Sequence, residues 1–319
     1  MAEVGQDVKQ ASDLLKKEDI VAIPTETVYG LAGNAFSEKA IRKIFEVKNR
    51  PLSDPLIVHV ANIEAITPLV KEIPDLARKL FEAFSPGPIT ILLPRSGKIP
   101  DLVTNSSAFV AIRIPNHPLT LQLLESIDFP LVAPSANSFG ALSPSTAEHV
   151  QKGVGAKIPY ILDGGPCQVG LESTIVQIEK EKEIRILRQG GIPEENLLLF
   201  AELSLTETTE KQIVPGSMLS HYAPKKQLLL EPLTEVLTQY KPNQIGFLGF
   251  DQFSILLPKN QQVVLSETGK LDEAARNLFQ GLHYLDALPI EVIVVANIPE
   301  VGLGKAIKDR LKRAAAKRI

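Results

Sequence analysis

Residues 109–137 read FVAIRIPNHPLTLQLLESIDFPLVAPSAN. The first part alternates, with Phe109, Ala111 and Arg113 on one face and Val110, Ile112 and Ile114 on the other, which is the two-residue period of a strand. Residues 119–127 then space their apolar side chains as a helix does. FPLVAP returns to a short branched run that ends in Pro134-Ser135-Ala136-Asn137. Strand, helix and strand within 29 residues form the unit of an α/β fold.

The same alternation extends outward over residues 20–188 in IVAI, PLIVHV, ITILLP, STIVQI and EIRILR. Tight two-residue hairpin signals are few. The seven runs therefore predict one twisted sheet of mixed direction with helices packed against it, in an order the sequence does not reveal. Ser37 can cap a helix that buries Ile41, Ile44 and Phe45 and that Pro51 stops, and residues 75–84 predict another. From 201 to 226 the pattern weakens into TETTEK and VPGSMLSHYAPKK, rich in turn formers, which predicts a linker or lid. Beyond it QLLLEPL, QIGFLGF, QVVLS and EVIVVANI alternate with helix-like segments at 271–285 and 305–316. The expectation is a smaller, parallel, Rossmann-like α/β domain, dividing the chain into 1–200, 201–226 and 227–319.

Formal net charge is −3, so the chain lacks the basic balance of a protein devoted to nucleic acid. A single cysteine, Cys167, excludes an intramolecular disulfide and a cysteine zinc cluster. Neither a secretory signal pattern nor an apolar run of bilayer length is present, and the expected setting is cytoplasmic with no membrane contact. KAIKDRLKRAAAKRI at 305–319 carries seven Lys or Arg and one Asp; such a helix end is a solvated face or a weak tRNA contact.

No P-loop and no strand-following GxGxxG occur, so anion binding must rest on other residues. Pro24-Thr25-Glu26-Thr27-Val28-Tyr29-Gly30 gathers hydroxyls and a carboxylate at the carboxyl end of the first strand, where open sheets bind ligands, or where a turn satisfies its own donors. Lys48-Asn49-Arg50 precedes Pro51; with Arg50 extended, Lys48 and Arg50 point the same way and suit a polyphosphate, or else complement the helix dipole. Arg113 needs a partner unless its strand is a sheet edge, and one alternative partner is a carboxylate. His59 is either a ligand contact or a hydrogen-bonded core histidine. Ser135 and Asn137 can bind one ligand or close a turn, and Glu172-Ser173-Thr174 enters a strand whose successor ends at Arg188.

In their order, PTETVYGL, KNRPLSDPLIVHV, AIRIP, APSAN and ESTIV resemble the YrdC-like domain of threonylcarbamoyl-AMP synthases, over roughly residues 10–200. The HYAP linker and the C-terminal domain resemble the two-domain form. The resemblance implies an L-threonylcarbamoyladenylate synthase, a nucleotidyltransferase. It would use L-threonine, bicarbonate or carbon dioxide, and ATP with Mg²⁺, release pyrophosphate, and serve threonylcarbamoyladenosine formation in tRNA through downstream transfer proteins. It implies a catalytic set of Lys48, Arg50, Ser135 and Asn137, further ATP contacts from Asp54, Phe109, Ser143, Arg188, His221 and Tyr222, and a threonine pocket of Thr27, His59, Arg113, Ala133 and Ser173. No metal ligand is implied. Ser217 and Ser220 depart from the linker pattern of some relatives, which leaves the lid contacts less determined than the pocket. An RNA-binding or regulatory YrdC-like protein without turnover is the alternative; the similar domain of hydrogenase maturation proteins accompanies zinc fingers that one cysteine cannot build.

Overall fold

A computed structural model describes residues 1–204, 214–215 and 222–316. Its elements run β1 (Glu3–Gly5), α1 (Val8–Lys16), β2 (Val21–Ile23), β3 (Gly30–Asn34), α2 (Glu38–Lys48), β4 (Ile57–His59), α3 (Asp75–Phe84) and β5 (Ile89–Pro94). There follow α4 (Asp101–Thr104), β6 (Phe109–Arg113), α5 (Pro118–Glu125), β7 (Leu131–Val132), α6 (Ala147–Gly153), β8 (Tyr160–Leu162), β9 (Thr174–Lys180), β10 (Glu183–Arg188), α7 (Glu194–Leu197) and β11 (Glu202–Leu203). The remainder comprises β12 (Gln227–Leu229), α8 (Leu233–Val236), β13 (Ile245–Gly249), β14 (Gln262–Val264), α9 (Leu271–Ala287), β15 (Val292–Val295) and α10 (Leu303–Ala315).

The first eleven strands form one sheet in the order β1-β8-β2-β3-β7-β4-β6-β5-β9-β10-β11, and the last four a second, β12-β15-β13-β14. The large sheet mixes antiparallel pairs such as β5/β6 with parallel pairs such as β4/β6, whereas the small sheet is parallel throughout. All seven runs expected between residues 20 and 188 are strands, and β1, β3, β8 and β11 join them. β3 reads GLAGN, with no β-branched residue to mark it. It is a strand because β2 and β7 pair with it on both sides.

The two-residue period sorts the large sheet into two faces. Val58, Ile91, Val110, Ile112 and Val132 point into the main core, where α2 contributes Ile41, Ile44 and Phe45 and α3 contributes Leu80 and Phe81. Each such side chain, fully buried, adds roughly 1.5–3 kcal/mol. Ile57, Leu92, Ala111 and Ile175 occupy the opposite face with Val214 of the 201–226 segment over them. Further along that face Val21, Ile23, Leu131 and Ala133 pack against α1 and α5. Between these clusters the face carries polar residues.

The small sheet is held to the large one by direct contact. The apolar sides of α9 and α10, with Leu228, Leu248 and Ile293, share a cluster with Val28, Leu142 and Leu171 of the first 200 residues. Gly170 has φ +74°, and a Cβ there would lie 2.5 Å from the carbonyl oxygen of Ala275. Arg276 Nε donates to the carbonyl of Gln168 at 2.8 Å. Loop backbone and α9 thus meet without side chains between them. No described helix is long and apolar enough to cross a membrane.

Candidate active site

On the polar part of that sheet face lies a pocket, partly open to solvent. Its floor takes Ile57 and His59 from β4 and Arg113 from β6, one pleat apart on the same face. His59 and Arg113 are the last residues of β4 and β6, and Thr27, Val28, Ala133, Pro134 and Ser135 follow the carboxyl ends of β2 and β7, so the pocket lies on the sheet face where these strand ends meet. β6 lies between β4 and β5, so the edge-strand account of Arg113 fails.

Arg113 is buried and answered by the Thr25–Thr27 turn. Its Nη2 donates to Thr27 Oγ1 and lies within 2.8 Å of both that oxygen and Glu26 Oε1. Thr25 Oγ1 donates to the carbonyl of Val28 at 2.7 Å and shares a 2.7 Å hydrogen bond with Thr27 Oγ1. Glu26 Oε2 accepts from the backbone of Asn116 at 3.0 Å. Nε of Arg113 is buried with no hydrogen-bond partner among the described residues, a donor whose desolvation nothing yet offsets. Beside it, burial and then the charge of Arg113 push His59 down to about 3. His59 is thus neutral; Nδ1 lies 3.2 Å from the carbonyl of Ile57, which can only accept, so Nε2 is left as an acceptor.

Lys48 ends α2 and Arg50 follows one residue beyond it. Asn49 takes the left-handed conformation with φ 51°, and the Asn49 and Arg50 amides bond back to Glu46 and Phe45, closing a Schellman motif. Asn49 is therefore a left-handed cap between the two cations. Lys48, 1 % exposed, donates to the carbonyls of Ser135 and Asn137 and ties down the loop after β7. Burial and then Arg50 hold its ammonium well below the ordinary lysine range. Arg50 does reach the pocket, donating to the carbonyls of Asp54 and Pro55 and pairing with Asp54 Oδ2 at 3.0 Å. Burial raises the Asp54 carboxyl and Arg50 opposes it. Ser135 lines the pocket; Asn137 does not, because its amide donates to the carbonyls of Ser138 and Ala141, the turn alternative, while its Oδ1 is buried without a partner.

The third wall comes from Glu172 just before β9, Arg188 at the end of β10, Pro215 and Tyr222. Arg188 lines the pocket and donates to the carbonyl and hydroxyl of Ser173 and, at 2.8 Å, to the carbonyl of Pro215; burial brings it down to about 10. Ser173 is fully buried behind it, also bonded to Thr90. Ser143 Oγ donates to Glu172 Oε1 at 2.6 Å behind the lining. Burial pushes the Glu172 carboxyl up, but Arg310 and Arg188 outweigh it and the net shift is downward. Tyr222 lines the pocket, buried, at φ 64°. Phe109 lies outside it, lining a much smaller crevice with Leu92, Val214 and Pro215, the last of which also borders the main pocket.

Of the predicted residues, the structure brings Thr27, Arg50, His59, Arg113, Ala133, Ser135, Arg188 and Tyr222 to one pocket. Lys48, Asp54, Asn137, Ser143 and Ser173 stand behind that lining, and His221, Ser217 and Ser220 lie outside the described residues. Val28, Ile57, Pro134, Glu172 and Pro215 line it without having been assigned. Glu172 was legible within ESTIV; the apolar members carried no chemical signal. Among the described residues no group of three or more His, Cys, Asp or Glu could hold a metal ion. Glu26, Asp54 and Glu172 each pair with an arginine instead. These residues do not fit a protein-held Mg²⁺ site.

Residues 13–190 match the Sua5, YciO and YrdC family model, described as telomere recombination, and residues 176–316 match "Threonylcarbamoyl-AMP synthase, C-terminal domain". The threonylcarbamoyl-AMP synthases of Pyrococcus abyssi and Bacillus subtilis are each 34% identical, over 98% of this chain and 95% and 94% of theirs. The crystal structure of P. abyssi Sua5 complexed with L-threonine superposes with a TM-score of 0.87 at 33% identity, covering 98% of this chain and 97% of that one.

Proposed function

The chain belongs to the threonylcarbamoyl-AMP synthase family, and from that premise we propose that it makes L-threonylcarbamoyladenylate from L-threonine, carbon dioxide or bicarbonate, and ATP. The observation that carries this reading is the convergence of Arg50, Arg113 and Arg188 on one pocket whose carboxylates are already paired. Three buried guanidinium groups so arranged suit a ligand of several negative charges.

The threonine ammonium first loses a proton to solvent, and its neutral nitrogen then attacks the carbon of carbon dioxide, forming the N–C bond as a C=O π pair moves to oxygen and a second proton leaves to solvent. A carbamate oxygen then attacks the α-phosphorus, and the bond from that phosphorus to the bridging oxygen breaks as pyrophosphate leaves. Positioning two anions and neutralising developing charge is the protein's task. Arg113, fixed by Glu26 and Thr27, offers its remaining donors to the threonine carboxylate. His59 can orient an N–H or O–H through Nε2, but a group that titrates at about 3 is too weak a base to take the ammonium proton. Arg50 and Arg188 face the phosphates, with Ser135 between the two ligands. Lys48 acts from behind by holding the carbonyls of Ser135 and Asn137. Mg²⁺ would come bound to ATP, neutralising phosphate charge. The product serves threonylcarbamoyladenosine formation in tRNA through separate transfer proteins, in a cytoplasmic setting.

Pyrophosphate release is measured with ATP, Mg²⁺, bicarbonate and L-threonine, omitting each in turn. Release that requires both threonine and bicarbonate is expected; release indifferent to either would refute the reaction.

A further inference from the structure

The small C-terminal domain sends a charged side chain into the wall of this pocket. Arg310 on α10 is 1 % exposed, in a stretch whose sequence suggests a solvated basic face. Its Nε donates to Glu172 Oε2 at 2.7 Å, Nη1 to Asp309 Oδ2 at 2.6 Å and Nη2 to the carbonyl of Gln189 at 2.8 Å. The guanidinium carbon stands 5.0 Å from the centroid of the Tyr222 ring, within cation–π range. Glu172 and Tyr222 both line the pocket. The other oxygen of Glu172 is taken by Ser143, whose carbonyl lies 3.1 Å from His283 Nε2 on α9.

We infer that Arg310 is a positioning residue that neutralises Glu172, so that the C-terminal domain completes the anion pocket of the large sheet. This rests on the reading that the pocket takes anionic substrates. A buried carboxylate deprived of its counter-ion must find another cation or take up a proton. The cation at hand is Arg188, which donates at present to Ser173 and Pro215 and faces the pocket. Without Arg310, Glu172 competes with substrate phosphate for Arg188 and adds a negative charge where negative ligands bind. A mere staple between domains would set stability and leave ligand affinity alone.

The test is calorimetric titration of MgATP and, separately, L-threonine into the full-length protein, with circular dichroism and melting curves to verify folding. Wild type is compared with Arg310→Met, Arg310→Lys and the double variant Arg310→Met/Glu172→Gln. Arg310→Met should weaken MgATP by about tenfold or more, the worth of one charge-assisted hydrogen bond. Arg310→Lys should recover part of that, and the double variant should return to within about threefold of wild type, since removing both charges removes the mismatch. A folded Arg310→Met with wild-type affinity overturns the inference, as does a double variant that binds as weakly as the single one. Should Arg310→Met not fold, the double variant decides alone by the same criterion. Wild type that binds neither ligand removes the proposed reaction and this inference with it; wild type that binds both beside an unchanged Arg310→Met removes the inference only.

Discussion

Arg113 is fixed before any ligand arrives, because Glu26 and Thr27 hold one end of its guanidinium while Nε stays unpaired. Its planar fork suits a second, bidentate partner, which an ammonium cannot reproduce. Arg113→Lys is therefore expected to weaken L-threonine by about 10- to 100-fold, with a smaller effect on MgATP, as read by calorimetry. His59, held neutral down to about pH 3, should contribute no acid limb to turnover near its ordinary value of 6.5. A pH profile of pyrophosphate release with a limb near 6.5 that disappears in His59→Asn would show that assignment to be wrong. Arg113 was legible as facing the same way as Phe109 and Ala111, since alternation is local. Its partner was not, because Thr27 and Arg113 are 86 positions apart in the chain.

At the C-terminus of α2 the left-handed Asn49 turns the chain, sending Lys48 to the loop after β7 and Arg50 to the pocket. The tripeptide announced two cations, but its cap conformation decided where each went. Gly170 performs the corresponding task between the two sheets. Gly170→Ala combines an unfavourable positive φ with a Cβ only 2.5 Å from the Ala275 carbonyl, and α9 must shift to admit it. It should cost about 1–3 kcal/mol in a denaturant titration; a variant as stable as wild type would mean that the domains do not pack this closely. Nearby, His149 on α6 and His283 on α9 stack at 3.8 Å. Burial lowers both, and His283 adds to the shift that takes His149 to about 3. With the folded values below the unfolded one near 6.5, the unfolded chain binds the extra protons, so stability is lost as pH falls from about 6.5 towards 3. Urea midpoints should fall between pH 7.5 and 5.5, and less in His149→Phe/His283→Phe; an equal fall would place the sensitivity elsewhere.

For the molecule as a whole, the contact between the sheets is part of the candidate site. A chain ending at residue 204 would uncover Val28, Leu142 and Leu171 and leave Glu172 without Arg310. Such a truncation is expected to bind a hydrophobic dye and to hold MgATP about tenfold less tightly than the full chain. Equal affinity would mean that the second domain adds nothing to the pocket. The sequence by itself determined the strand runs, the faces of β6, the helices that close them and the parallel pattern of the second sheet, because these follow from spacings set by covalent geometry over a few residues. It also displayed, in order, the motifs on which the family resemblance rests. Only the tertiary structure decided the strand order, the inclusion of GLAGN as β3, the place of the pocket on a sheet face, the diversion of Lys48 and the burial of Arg310. Each of these depends on which distant segment supplies a hydrogen bond, a counter-ion or a covering surface, and local spacing carries no record of a partner a hundred or more residues away, as Glu172 is from Arg310 at 138.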